Sequence, residues 1–338
     1  MEVAEIEALT REVLPALRET PLVRTVIERS GSSRRFVKLR PAEGAAGTGV
    51  VAMHYTLDRP ENGRFGAITD FLRGRGVPVP AIRHRDEGRQ VIWLEDLGTE
   101  DLAAHATDDW DTVRRPLYAA ALRAVFPLHR VAETSPPPDL PALEKPFDAA
   151  LYRWEQDYFF TRFAPHFSAL DAAACEAVRQ SPELAALAES LGKAPRRLIH
   201  RDFQSSNVML RAGAPVFIDY QGMRWGLAEY DLASLLFDPY VPIDASRRED
   251  LARDYFDLKR AAGDAESYGV FRERLDRCAC QRLMQALGAY GYLGLEKGQR
   301  EFLKFIPVAV ERLREVAVGR GAAPSLAPVL CPRDSCVA

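Results

Sequence analysis

The stretch that decides the fold is RLIHRDFQSSNVML, residues 197–210, followed after a short break by PVFIDYQG, residues 215–222. The first segment sets His200, Arg201 and Asp202 side by side, with Asn207 five residues beyond Asp202. The second runs through apolar residues and ends on Asp219. Residues 208–210 and 215–218 read as two strands of a hairpin around RAGA, residues 211–214. A three-residue turn centred on Gly213 would set Asn207 opposite Asp219 at the open end, with Cα atoms roughly 5 Å apart. Two oxygen-bearing side chains would then meet there, with Asp202 in the same loop.

Phosphoryl transfer asks for this set. It needs a carboxylate beside the attacking hydroxyl, hard oxygen ligands for Mg²⁺, and donors around the moving phosphate. The spacing H-R-D-x-x-x-x-N followed by a second metal-binding Asp is the protein-kinase solution. An HRD triplet alone is a weak signal, and a lone Asn equally caps a turn. Four positions at fixed spacing, with a second Asp beyond a hairpin, are much harder to reach by accident.

Bulk properties agree with a soluble enzyme of two domains or lobes. The chain has 338 residues, 47% of them hydrophobic and 28% charged, enough for two cores. A net charge of −3 gives no overall basic excess, which argues against a nucleic-acid binder. No apolar run reaches about 18 residues, so no membrane span is expected. The N-terminus MEVAEIEALTREVLPAL is acidic and amphipathic, unlike a signal peptide. Five cysteines, an odd number with no C-x-x-C, suit reduced structural thiols in a cytoplasmic protein.

Residues 1–96 read as a strand-rich unit. A helix over 3–17 precedes two β-rich runs flanking Ser30-Gly31-Ser32-Ser33, a strand at VVAMHYTL, a helix over 61–76 and a strand at QVIWLEDLG. From 97 to about 320 helical periodicity dominates, over 113–131, 146–168, 170–192, 246–262, 268–293 and 299–318. Residues 321–338, with three prolines and little periodicity, read as a loose tail.

The run from Ile199 to Leu236, with HRDF, IDYQ and YDLASLL, resembles the catalytic core of the aminoglycoside phosphotransferase group. It is most similar to a bacterial branch of anomeric kinases acting on N-acetylmuramate and N-acetylglucosamine. The resemblance implies an α+β, protein-kinase-like fold: an N-lobe of antiparallel sheet plus a helix, and a mostly helical C-lobe. It implies ATP and Mg²⁺ between the lobes, Asp202 as base, and Asn207 and Asp219 as metal ligands. Asp231 becomes a brace of the catalytic loop, though Asp also suits a helix N-cap. His200 is expected to support the loop.

Other candidates follow from their places. Gly31, Ser32, Ser33 and Arg34 occupy the phosphate-covering turn. His54 stands where the kinase V-A-I-K carries its Lys, and it is the weaker phosphate contact. Arg34, Arg35 or Lys38 would supply the missing charge, and Glu61 or Asp70 the helix carboxylate. VIWLEDLG resembles the hinge, with adenine read near Glu95 and Leu97. In FDAALYRWEQDYFFTRF most aromatics are core, with Trp154 and Glu155 as acceptor contacts. Gln221 and Arg224 follow Asp219, and Arg224 suits a lactyl carboxylate. The acceptor is therefore a small molecule, preferably a sugar. The rivals are a kinase of another small molecule, such as an aminoglycoside or a macrolide, and a pseudokinase that binds nucleotide without turnover.

Overall fold

The structure, a computed structural model, describes residues 1–27, 34–43 and 49–333. Five strands form one antiparallel sheet: β1 (Leu22–Ile27), β2 (Arg35–Pro41), β3 (Val50–His54), β4 (Ile82–Asp86) and β5 (Val91–Glu95), in the order β1-β2-β3-β5-β4. Alternation along these strands builds two different faces. Val37, Leu39, Val50, Ala52, Val91 and Trp93 point to one side and bury against Ile6 and Leu17. Ile6 belongs to helix α1 (Val3–Val13), which Pro15 then ends by starting a short 3₁₀ turn. The opposite face carries Met53, Ile92 and Leu94 onto helix α2 (Pro60–Gly74) through Phe65, Ile68 and Phe71.

The remainder is mainly helical: α3 (Arg115–His129), α4 (Ala149–Arg162), α5 (Ala164–Phe167), α6 (Ala172–Arg179), α7 (Pro182–Lys193), α8 (Ala228–Leu236), α9 (Ala245–Ala261), α10 (Tyr268–Gly291) and α11 (Ile306–Arg314). The long α10 is the central post, packed by α4, α8 and α11. It approaches α4 closely because two of its residues lack side chains. A Cβ at Gly288 would stand 3.0 Å from the Tyr158 carbonyl, and one at Gly291 would stand 2.1 Å from that of Arg162. Two small ribbons interrupt the helices. Strand β6 (Arg197–Ile199) pairs with β9 (Arg224–Gly226), and β7 (Val208–Arg211) pairs with β8 (Ala214–Phe217). The inner face of the sheet and the helices share one continuous core. Cys175, Cys278 and Cys280 are buried free thiols and Cys331 an exposed one. No helix among the described residues is long and apolar enough to cross a membrane.

Two expectations need correction here. Residues 82–86, passed over in the sequence for their charges, form the edge strand β4, where Arg83, His84 and Arg85 suit an exposed edge. The segment from Gly321 is not loose as far as Arg333. Ala323, Leu326, Val329 and Leu330 are buried, Ala169 N–H donates to the Cys331 carbonyl at 2.9 Å, and Arg333 N–H donates to Phe167 at 3.0 Å. Its prolines set a 3₁₀ turn, Pro324–Leu326, and leave the apolar residues free to pack. Residues 334–338 lie outside the described residues.

Truncation after Arg320 should therefore destabilise the protein. Losing the buried Leu326, Val329 and Leu330, with the smaller Ala323, removes on the order of 5 kcal/mol, an upper figure because the unfolded chain is partly collapsed. The denaturation midpoint of the truncated chain measures it; an unchanged midpoint would show that the segment contributes nothing.

Candidate active site

Residues 200–207 leave β6 as a loop whose backbone is held by two buried acids. Asp231, wholly buried in the first turn of α8, accepts the His200 N–H on Oδ2 at 2.6 Å and the Arg201 N–H on Oδ1 at 2.8 Å. His129, at the end of α3, reaches the same Oδ2 through Nε2 at 2.9 Å, and its Nδ1 meets the Tyr255 hydroxyl at 2.7 Å. The residue at the N-cap of α8 is Leu227, so Asp231 braces the loop and does not cap the helix. Asp238 does the same further on, accepting from Ser205 N–H at 2.8 Å and from its hydroxyl. With such an acceptor fixed, Arg201 is held at φ +78°, a left-handed conformation costly for a residue with a side chain. His200 Nε2 donates to the Ile218 carbonyl at 3.0 Å while its Nδ1 is buried without a partner. It holds the loop against the following strand.

The Asp202 carboxylate is partly exposed, and its Oδ2 accepts from Arg201 Nη1 at 2.8 Å. Asn207 is buried and donates through Nδ2 to the Asp202 carbonyl at 2.9 Å, which turns its Oδ1 away from that carbonyl. The hairpin register differs by one residue from the expected one. Val208 pairs with Phe217 and Arg211 with Ala214, closed by a two-residue turn with φ +49° at Ala212 and +77° at Gly213. Both central residues are left-handed, as a type I′ turn requires, and this turn matches strand twist better than the three-residue one. Asn207 consequently faces Ile218, whose N–H donates to the Asn207 carbonyl at 3.0 Å. Asp219 follows directly and turns aside at φ +66°. Its Oδ1 accepts from Arg34 Nη2 at 2.9 Å and from Gln221 Nε2 at 3.0 Å.

Next to Asp219, Tyr220 is buried and tied to α2. Its hydroxyl meets Thr69 Oγ1 at 2.8 Å, and its ring stacks on Phe65 at 5.0 Å. Neither proposed helix carboxylate takes part: Asp70 pairs with Arg85 on β4, and Glu61 lies in the first turn of α2. Between sheet and hairpin lies a cavity of about 120 Å³, walled by Phe36, Val51, Leu94, Met209 and Ile218 and reaching Asp219. Glu95, Asp96, Leu97 and Gly98 form its edge, so the expected hinge residues Glu95 and Leu97 border it. Glu95 itself points its carboxylate toward Arg211 at 3.3 Å and Arg83 at 3.8 Å.

His54 is not in this cleft. It lies on the strand face of Val50 and Ala52, beside Arg35 and the N-terminus, and its pKa is lowered by burial and then by those two positive charges. The reason is parity: on a pleated strand the cleft-facing residues here are Val51 and Met53. The buried cation of the cleft is Lys38 on β2, opposite Val51. It lies 2.5 Å from Asp96 Oδ1 and donates to the Gly98 carbonyl at 3.1 Å. Arg34 is the other cation lining the cavity. Gly31, Ser32 and Ser33 lie outside the described residues.

The two aromatic-helix candidates differ in exposure. Trp154 is 52% exposed and stacks on Tyr158 at 5.3 Å, with none of its recorded neighbours in the catalytic loop. Glu155 is 1% exposed, accepting from the Tyr230 hydroxyl at 2.7 Å behind that loop. Burial raises its pKa from 4.5 to about 7, against the opposing pull of Tyr230, Arg201 and Arg282. On α4 the aromatic run gave no sign of which face is inward, because polar and aromatic residues are mixed on every side of the helix and the polar Glu155 and Gln156 are themselves buried. Gln221 and Arg224 do lie beside the loop. Arg224 Nε donates to the Gly222 carbonyl at 3.0 Å, and a Cβ on Gly222 would be 3.9 Å from Asp202 Oδ2. Sequence reasoning passed over Asp238, Thr69 and Arg282; the buried acid in LLFD was the one readable signal among them.

Asn207 and Asp219 offer an amide oxygen and a carboxylate, the hard donors Mg²⁺ takes. Among the described residues no group of three His, Cys, Asp or Glu converges. Such an ion would thus complete its shell with phosphate and water, as Mg²⁺ commonly does. A larger hollow of about 450 Å³ lies behind the loop, near His129 and Glu229, but its carboxylates Glu229 and Glu266 are already paired with Lys259 and Arg274.

Residues 28–265 match the family model described as phosphotransferase enzyme family. An N-acetylmuramate/N-acetylglucosamine kinase of Pseudomonas putida is 29% identical over 277 residues, covering 78% of this chain and 76% of that one. A choline kinase structure from Cryptosporidium parvum superposes with TM-score 0.60 at 12% identity, covering 97% of this chain and 99% of the other. The ADP-bound aminoglycoside phosphotransferase APH(2'')-Ib gives 0.57 at 13%, covering 93% and 99%.

Two outcomes are expected. Replacing Asp231 by Ala should raise amide hydrogen exchange at His200 and Arg201 at least tenfold, since their acceptor is gone; unchanged protection would place the brace elsewhere. Glu155, with its pKa raised on folding, contributes stability that is complete below pH 4.5 and is lost as pH rises through 7. Glu155→Gln, which stays neutral, should therefore gain on the wild type between pH 5 and 8, by about 3 kcal/mol at most. Parallel melting curves across that range would refute it.

Proposed function

The chain belongs to the phosphotransferase enzyme family, and we propose that it is an ATP- and Mg²⁺-dependent small-molecule kinase acting on the anomeric hydroxyl of N-acetylmuramate or N-acetylglucosamine. The observation that carries this reading is the placement of Asp202, partly exposed on a braced loop, beside the oxygen-bearing pair Asn207 and Asp219 at the end of an apolar slot. The slot bounded by Glu95 and Leu97 suits an adenine base, which is flat and apolar on its faces. A nucleotide seated there directs its phosphates toward Arg34 and Asp219. Held by Asn207 and Asp219, Mg²⁺ supplies charge neutralisation across the phosphates.

The protein's own part is positioning and proton acceptance. Asp202 takes the hydroxyl proton on its carboxylate as the acceptor oxygen attacks in line. An anomeric hydroxyl is more acidic than an ordinary alcohol, so a carboxylate serves as base. Arg201 holds Asp202 in place through the 2.8 Å ion pair. The setting is the cytoplasm, where ATP is available.

Two rival readings are a kinase of another small molecule, such as an aminoglycoside, and a nucleotide-binding protein without turnover. ADP release over a panel of sugars and aminoglycosides separates the three. N-acetylglucosamine or N-acetylmuramate should drive release and gain phosphate on the anomeric oxygen. Asp202→Asn should lower kcat about 10²–10⁴-fold. Release with aminoglycosides alone, or no release with any acceptor, would overturn the reading.

A further inference from the structure

Three arginines from three separate elements gather around Asp202. Arg201 comes from the loop, Arg224 from β9 and Arg282 from the middle of α10. All three are partly exposed. Arg201 has its ion pair in Asp202 itself. Arg224 and Arg282 have no ion pair among the described residues. Each is instead tethered by neutral groups: Arg224 to the Gly222 carbonyl at 3.0 Å and over the Phe147 ring at 5.4 Å; Arg282 to Ser234 Oγ at 3.0 Å, Gln204 Oε1 at 3.3 Å and Gln285. Asp202 acts on both, and the other nearby acids are engaged elsewhere. Glu144 is paired with Arg64 at 2.7 Å, and Glu155 is buried and bound by Tyr230.

The charge imbalance is visible in Arg224. Burial first, and then the neighbouring Arg201, disfavour the charged form of Arg224. Burial also works against Arg282, but Tyr230, Asp202, Tyr290 and Glu155 outweigh it and raise its pKa. Asp202 is the one carboxylate ion-paired within this group of arginines; Glu155 and Asp238 also feel Arg282, but both are buried, hydrogen-bonded to other groups and raised in pKa by burial. A cationic wall that protein groups leave undercompensated attracts an anion and repels a cation.

We propose that Arg282, together with Arg224, forms an anion-selecting wall of the acceptor site, so that this enzyme favours an acceptor bearing a carboxylate over its neutral analogue and rejects cationic ones. The inference rests on Asp202 being the residue beside the acceptor hydroxyl. A guanidinium held by neutral tethers keeps its remaining N–H groups for a forked contact with a carboxylate. Arg282 is the deciding member because its tether to Gln204 joins it to the catalytic loop two residues after Asp202. The same fold serves choline kinase and an aminoglycoside phosphotransferase, whose named substrates are cations. The wall described here has the opposite sign to the one such substrates require.

The test compares kcat/KM for N-acetylmuramate, N-acetylglucosamine, glucosamine and choline in the wild type and in Arg282→Gln, Arg282→Lys and Arg282→Glu. The wild type should rank acid-bearing above neutral above cationic acceptors. Arg282→Gln should lower kcat/KM for N-acetylmuramate about tenfold to a hundredfold more than for N-acetylglucosamine, Lys should restore part of that gap, and Glu should reverse it. Equal losses on the acid-bearing and neutral sugars would make Arg282 only a bracket for Gln204 and overturn the proposal. A wild type preferring glucosamine or choline would overturn it as well. A wild type that turns over neither N-acetylated sugar would sink the proposed function; the wall would then be judged by the charge order among whichever acceptors react.

Discussion

The site depends on one carboxylate that never meets a substrate. Asp231 is buried in α8 and accepts two consecutive backbone N–H groups, from His200 and Arg201, with His129 on the same oxygen. A buried acid without donors would be strongly destabilising, and a backbone at φ +78° on Arg201 would relax to an easier conformation. Each problem solves the other. The acid gains the donors it needs, and the strained peptide is held where Asp202 must project. Asp238 repeats the device at Ser205, so both ends of the loop hang from the helical half.

The sheet half is joined to this loop in a way that differs from the lysine–glutamate pair of protein kinases. His54 is on the far face of β3, and α2 directs no carboxylate into the cleft. What α2 offers is Phe65 and Thr69, which grip Tyr220 by stacking and by a buried hydroxyl contact. The cleft cations lie instead on and beside β2, where Lys38 neutralises Asp96 and Arg34 neutralises Asp219. Positive charge at the nucleotide end therefore sits on the strand beside the one where the motif would place it.

Much of this was legible. The fixed spacing of His200, Arg201, Asp202 and Asn207 is a local constraint, and local constraints survive folding. The two-part organisation, strand-rich then helical, followed from periodicity. What failed failed by one position. The hairpin closes with two residues and not three, so Asn207 faces Ile218; a single φ choice at Ala212 decides it. His54 and Val51 differ only in strand parity, which a short apolar run such as VVAM does not declare. Trp154 and Glu155 lie on a helix whose polar and aromatic residues are mixed on all faces, where periodicity has no contrast to read. Arg282 and Thr69 were out of reach because their importance comes from tertiary neighbours far away in the chain.

The Thr69–Tyr220 contact has a mechanical consequence. By sequence α2 belongs with the sheet, yet its buried hydroxyl holds it to the residue beside Asp219 in the helical half. A hinge at residues 96–98 cannot swing the whole strand-rich unit as one rigid plate without tearing that clasp. Because α2 and the inner face of the sheet share one core, they would have to move together, and widening the slot would begin with the loss of the Thr69–Tyr220 contact.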